Sequence, residues 1–138
     1  MCLSKYQNSQ EQIAGLQKQR KAIVGYSVKA YYDHDWFSFI GGVTPWHQGE
    51  TISSHPEGFH FFCELSDALK FLRTNEWGES LRKARLTDEH QGLFLLIIDT
   101  EDLLALGLDD GLSKGVKAGT AKKVYWDGTI IEERNKQE

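Results

Sequence analysis

Hydrophobic and polar positions alternate along this chain with two periods, one typical of strands and one typical of helices. The clearest junction lies at residues 59–63, a nearly continuous apolar run that follows the turn residues 56–58. Apolar side chains then recur at helical spacing, and they form one stripe: Leu65, Ala68, Leu69 and Leu72. We therefore predict an interior strand that passes directly into a helix packed on its own sheet.

The first half of the chain predicts one more helix and a hairpin. Residues 9–24 contain no proline and begin with the capping pair Ser9 and Gln12, so they predict a helix that ends at Gly25. Residues 26–32 alternate as a strand, which places Lys29 on the face opposite Val28. Extended character resumes after residues 33–35, and this predicts a hairpin.

The second half predicts a central strand, a short helix and a second hairpin. Residues 93–98 are the most apolar run of the chain and predict the central strand. Asp99 or Thr100 is expected to cap a short helix over residues 101–106. The pair Asp127 and Gly128 lies between two strand-like runs, which is typical of a tight hairpin turn.

These elements predict one α+β domain with a mostly antiparallel sheet of about five to seven strands, short helices and an N-terminal helix. We expect an N-terminal helical extension over residues 1–25, the domain itself over residues 26–133 and a charged tail over residues 134–138. The length of 138 residues is typical of a single domain.

Composition restricts the classes of partner. A formal charge of -4 argues against a nucleic-acid-binding face, because contacts with phosphates need clustered lysine and arginine. The sequence contains no apolar run long enough for a membrane span and no apolar leader, so we expect a cytoplasmic protein. Cys2 and Cys63 are then expected to be reduced.

Metal and nucleophile patterns are weak. His47, His55, His60 and Cys63 include zinc-compatible donors, and a zinc-stabilised module is one alternative. However, a strand places His60 and Cys63 on opposite faces, so we predict no metal ligands. Cys63 lies among apolar residues, which favours packing over nucleophilic chemistry. The common nucleotide-binding and hydrolase motifs are absent from the sequence.

The order of elements from residue 26 to residue 132 resembles small domains with an ADP-ribosyltransferase-like fold. The resemblance depends on a box, Gly58-Phe59-His60-Phe61, that runs into a helix containing Asp67-Ala68-Leu69. Similar boxes occur in short uncharacterised proteins of bacteria and their phages. The resemblance implies NAD as a possible cofactor, held in a cleft lined by Tyr32, His34, Trp46 and His60. It also implies that Glu132 is the catalytic carboxylate, which stabilises positive charge in the transition state.

Each of these residues also has a structural interpretation. The sequence favours the structural interpretation in each case: a hydrogen bond inside the core for His60, cover for the edge of the core for Trp46, and a solvated charged tail for Glu132. The first strand carries Lys29 where the family has an Arg-Gly or His-Gly pair, and the usual Glu-x-Glu spacing is absent near Glu132.

Two functional hypotheses follow from the sequence. The first is a non-enzymatic interaction protein of phage origin on this scaffold, which acts on a host protein or a nucleotide, or associates with itself through residues 9–24. The second is an active ADP-ribosyltransferase or another enzyme that binds an NAD-derived nucleotide. The sequence favours the first hypothesis for the activity. For the fold it favours the ADP-ribosyltransferase-like architecture that the family resemblance implies.

Overall fold

A computed structural model describes residues 3–5, 9–19, 22–38, 45–53, 58–74, 90–109 and 116–135. Within these ranges the chain forms two α-helices, α1 (Ser9–Gln19) and α2 (Leu65–Thr74), and a 3-10 turn at Thr100–Asp102. The described strands are β1 (Leu3–Lys5), β2 (Ala22–Tyr32), β3 (Asp35–Phe37), β4 (Gly49–Ile52), β5 (Phe59–Phe62), β6 (His90–Asp99), β7 (Leu103–Asp109), β8 (Val116–Ala121), β9 (Lys123–Trp126) and β10 (Ile130–Arg134).

The predicted α+β class is confirmed. The ten described strands form one sheet in which every pairing is antiparallel, and eight of them lie in the order β1-β7-β8-β5-β2-β6-β9-β4. Strand β3 pairs with β2, and β10 pairs with β6. The predicted count of about five to seven strands was too low.

Strands β2 and β6 form the centre of the sheet, and their side chains separate its two faces. On one face Phe94, Leu96 and Ile98 pack with Trp46 and with Ile13 of α1. We call this the Trp46 face. On the other face, which we call the α2 face, Val28 and Leu93 pack against α2 through a further set of buried side chains: Phe62, Ala68, Phe71 and Leu72.

The predicted junction of strand and helix is confirmed. Strand β5 lies between β2 and β8, and the chain enters α2 three residues after it ends. Phe61 points to the Trp46 face and Phe62 to the α2 face, as the period of two requires. The β2–β3 hairpin is also confirmed, because Tyr32 pairs directly with Asp35 across a two-residue turn.

The described first helix ends at Gln19, so the predicted helix over residues 9–24 was wrong at its C-terminal end. Residues 22–24 begin β2, and Gly25 lies inside that strand. A Cβ atom at Gly25 would lie 2.7 Å from both Ile98 Cδ1 and Phe61 Cδ2. Glycine is therefore required here by close packing on the Trp46 face and not by the end of a helix.

The predicted helix over residues 101–106 was also wrong. Asp99 does cap a turn, since its Oδ1 accepts a hydrogen bond of 3.0 Å from the Glu101 backbone N–H. The turn ends at Asp102, and the chain continues as β7, which pairs with β1 and β8. Two neighbouring strands supply the backbone hydrogen bonds of this segment, whereas an isolated short helix is marginal in water.

The expected hairpin at Asp127 and Gly128 does not form. Strand β9 and strand β10 run in the same direction and both pair with β6, Tyr125 opposite Ile97 and Ile130 opposite Phe94. The turn residues therefore separate two strands that run in the same direction along β6, and they do not reverse the chain. The Asp127 carboxylate accepts a hydrogen bond of 2.9 Å from the Thr129 backbone N–H and holds this connection in shape.

Candidate functional site

Glu132, the predicted catalytic carboxylate, lies on β10 and forms an ion pair with Arg73 of α2. Arg73 Nε donates to Glu132 Oε2 at 2.6 Å, and Nη2 donates to Oε1 at 2.5 Å. These hydrogen bonds lower the pKa of Glu132 and raise that of Arg73. Both carboxylate oxygens therefore accept hydrogen bonds within the protein itself.

The neighbours of Glu132 on β10 also make structural contacts. Arg134 Nη1 donates a hydrogen bond of 3.2 Å to the carbonyl oxygen of Leu72, near the C-terminal end of α2. The Glu133 carboxylate lies 3.0 Å from His90 Nε2 on the neighbouring strand β6. Consequently β10 holds α2 on its sheet through the polar groups of its last residues.

Trp46 is buried on the Trp46 face. Its ring contacts Phe59 and Phe94, with centroids 5.1 and 6.4 Å away. Its indole Nε1 donates a hydrogen bond of 2.8 Å to Ser38 Oγ, and its backbone N–H donates one of the same length to the Trp36 carbonyl. Every polar group named here has a partner, as a buried tryptophan requires.

Tyr32 and His34 lie together at the exposed end of the β2–β3 hairpin. Asp33 and His34 both have positive φ, 51° and 69°, which is the conformation of a tight hairpin turn. Tyr32 is exposed, and its ring contacts Phe37 across the hairpin with centroids 6.5 Å apart. The structure therefore brings Tyr32 and His34 close to each other at a rim of the sheet.

His60 is half-buried on β5, directly opposite Thr120 of β8. It shares the α2 face with Phe62, two residues further on. Trp46 lies on the other face of the sheet, so His60 and Trp46 do not line one cleft. The five predicted site residues are thus distributed over both faces and one rim, and their roles stay predictions.

Cys63 follows β5 and packs against the core of the Trp46 face. Burial, reinforced by Glu64, raises its pKa to about 11, so the thiol is protonated at neutral pH and is a poor nucleophile. Within the described parts of the chain, no group of three or more His, Cys, Asp and Glu residues is arranged to hold a metal ion. Cys2 and the zinc candidate His55 lie outside the described residues.

A buried lysine on the Trp46 face is the feature that the sequence did not reveal. Lys29 is only 6% exposed. Its Nζ lies 3.1 Å from Ser38 Oγ and 4.3 Å from the centroid of the Trp46 ring. Burial lowers the pKa of Lys29 to about 7. In the sequence Lys29 is an ordinary polar position of an alternating strand. Nothing local to it indicates that Trp46 covers it.

Among the described residues, α2 covers one half of the α2 face, and the side chains of the other half are more exposed. Val28 is 5% exposed beneath α2, whereas Val24, on the same face of the same strand, is 43% exposed. Val24 lies opposite Ile97, and Ile97 lies opposite Tyr125, so three apolar side chains cross three adjacent strands in register. Tyr125 is 43% exposed, and Ile52 on the neighbouring strand β4 is 72% exposed. We call Val24, Ile97, Tyr125 and Ile52 the open row.

Comparison with known proteins identifies no relative of this chain. No family model matches the chain, and neither a curated protein nor a solved structure matches it significantly. Among the helices that the structure describes, none has the length and apolar character needed to cross a membrane. Any function is therefore argued from the residues alone.

Proposed function

We propose that this is a binding protein that acts by association and not by ADP-ribosyl transfer, and that a second copy of the chain binds at the open row. The observation that carries this proposal is the register of Val24, Ile97 and Tyr125 across β2, β6 and β9 on an exposed half of the sheet. Contiguous exposed apolar surface of this kind marks interaction sites in soluble proteins.

A second copy suits this surface because the charges beside the row are of both signs. Glu50 lies opposite Tyr125, and Lys123 lies opposite Ile52. The Lys123 ammonium and the Glu50 carboxylate are 3.7 Å apart at the edge of the row. Lys123 Nζ also lies 3.8 Å from the carboxylate of the buried Asp102. A twofold contact places the same patch on both subunits, so a patch that carries the exposed Glu50 carboxylate and the Lys123 ammonium can complement itself.

We keep the ADP-ribosyltransferase-like scaffold as part of the proposal, but we do not propose the catalytic activity of that family. The ion pair with Arg73 supports this choice, because Glu132 as a catalytic group would need a carboxylate oxygen directed at the ribose. Self-association was expected through residues 9–24, and of these residues we propose that only Val24 contributes to the contact. Ile13 of α1 is buried against the chain's own core.

The test is the solution mass of the full chain over a concentration series, measured by light scattering after size exclusion. We expect the wild type to reach twice the monomer mass as concentration rises, and Tyr125→Glu combined with Val24→Glu to stay monomeric. Leu65→Glu is the matched control, since Leu65 is a similarly exposed apolar residue at the start of α2 and away from the row. A wild type that is monomeric throughout the series would overturn the proposal.

A further inference from the structure

The contact between Lys29 and Ser38 is built by the pairing of β2 with β3. Ala30 lies opposite Phe37, which places the neighbouring residues Lys29 and Ser38 beside each other. The amine nitrogen and the hydroxyl oxygen are 3.1 Å apart, within hydrogen-bond distance. Lys29 is buried, whereas Ser38 is only half-buried. Ser38 is thus the less buried residue of the pair.

Trp46 holds both members in place. Its indole N–H donates to Ser38 Oγ at 2.8 Å, and its ring covers the Lys29 amine at 4.3 Å. The hydrogen bond from its backbone to Trp36 in turn fixes Trp46. A donor directed at the serine oxygen stabilises negative charge that develops there, and a base held by a third group is the usual arrangement around an activated nucleophile.

The protonation state of Lys29 suits this role. Only an uncharged amine has the lone pair that can accept a proton from the Ser38 hydroxyl. Burial lowers the pKa of Lys29 to about 7, so a large fraction of the amine is uncharged at neutral pH. The named contacts of Lys29 Nζ are a hydroxyl and an indole ring; the ring favours the ammonium through a cation–π contact, which is weaker than an ion pair with a carboxylate.

We propose that Ser38 and Lys29 form a nucleophile and base pair that cleaves small esters with an apolar acyl group. Aromatic side chains beside the pair are suited to an apolar acyl group: Trp36, Trp46 and Phe59. This activity lies on the face opposite the open row, so it is independent of the proposed association.

The step balances with water as the only co-reactant. Lys29 Nζ takes the proton of the Ser38 hydroxyl while Oγ forms a bond with the acyl carbon. The bond between the acyl carbon and the alcohol oxygen breaks, and the alcohol leaves with the proton from Lys29. Water then attacks the acyl carbon and gives up a proton to Lys29. The carboxylic acid leaves as the bond to Oγ breaks, and Ser38 regains its proton from Lys29.

The test uses a fluorophosphonate, which reacts with activated serines, and locates the label on the intact chain by peptide mass spectrometry. We expect labelling at Ser38 in the wild type, no label at that position in Ser38→Ala, and labelling about 100-fold slower in Lys29→Met. Ser27→Ala is the matched control, because Ser27 is a buried serine on the same face of β2 and its loss should leave the label in place. Wild-type protein without label at Ser38, or equal rates in Lys29→Met, overturns the proposal.

A pH profile of the labelling rate distinguishes a base from a structural lysine. In the parts of the chain that the structure describes, three other titratable groups share this face near Lys29: Tyr31 on β2, His90 on β6 and Glu133 on β10. We expect the wild-type rate to rise as pH passes through about 7 and His90→Gln to keep that midpoint. A wild-type rate that does not respond to pH in this range counts against Lys29 as the base, and so does a midpoint that His90→Gln abolishes. The wild-type profile gives this test even if Lys29→Met fails to fold.

Discussion

Arg73 and Glu132 join helix α2 to strand β10 through two parallel hydrogen bonds, 2.6 Å from Nε to Oε2 and 2.5 Å from Nη2 to Oε1. The planar guanidinium matches the carboxylate, and this geometry is more specific than that of a single ion pair. The pair spans 59 residues of sequence, so it fixes the position of the helix relative to a distant strand.

Removal of this pair should loosen α2 mainly above acidic pH. The hydrogen bonds from Arg73 lower the pKa of Glu132 in the folded state, so its contribution to stability is present above its ordinary pKa of 4.5 and is lost as pH falls through the lowered value. Glu132→Gln should therefore lower the urea midpoint at pH 7 and have little effect at strongly acidic pH. Glu133→Gln is the control for loss of a negative charge on β10. An equal effect of Glu132→Gln at both pH values would contradict the assigned role.

NAD should not bind through Glu132 in the wild-type protein. Because Arg73 occupies both carboxylate oxygens, we expect no rise in the melting temperature with excess NAD or ADP-ribose. Arg73→Ala frees the carboxylate and serves as the comparison under the same ligand concentrations. A concentration-dependent rise in the wild type that Glu132→Gln abolishes would restore the role implied by the family resemblance.

Lys29 should make the stability of the protein depend on pH between about 7 and 10.5. Its pKa is lower in the folded state than its ordinary value of 10.5, so the unfolded chain binds more protons in that range and stability rises with pH. Lys29→Met removes this cost, and the gain in the free energy of unfolding should be greatest below pH 7, up to roughly 5 kcal/mol. Urea unfolding at several pH values measures it. Parallel pH profiles for the wild type and Lys29→Met would show that burial does not penalise the charge.

Two glycines should respond in opposite ways to the same substitution. A Cβ at Gly25 would meet Phe61 and Ile98 at 2.7 Å, so Gly25→Ala should destabilise the protein by about 1 to 3 kcal/mol. Gly15 lies within α1 with no atom within 4 Å of the added Cβ, so Gly15→Ala should stabilise by about 0.5 to 1 kcal/mol. Thermal and urea unfolding of both variants measure the difference. A neutral Gly25→Ala would mean that the two side chains can move aside.

Several elements were predictable because their information is local. The turn before β5, its aromatic run and the apolar stripe of α2 follow one another directly, and the apolar run at the centre of β6 needs no distant partner to be recognised. The hairpin of β2 and β3 was found for the same reason. Other elements could not be predicted from local sequence, because their conformation depends on distant strands. Residues 103–109 contain good helix formers, yet pairing with β1 and β8 holds them as a strand.

The candidate sites were less predictable than the fold. Tyr32, His34, Trp46, His60 and Glu132 were chosen by residue type and by a family resemblance, neither of which states the face of the sheet on which a side chain lies. Lys29 was visible only as a polar position, and Val24 only as the end of a helix. Their burial and exposure depend on Trp46 and on the limited reach of α2.

The sequence by itself determined the antiparallel α+β class, the direct passage from β5 into α2 and the central place of β6, because hydrophobic period and turn residues act within a few positions. Only the tertiary structure decided that Glu132 pairs with Arg73, that Lys29 is buried beside Ser38 and that the open row is exposed. The physical reason is that a strand's period defines two faces but not what covers them. That covering comes from residues distant in the chain.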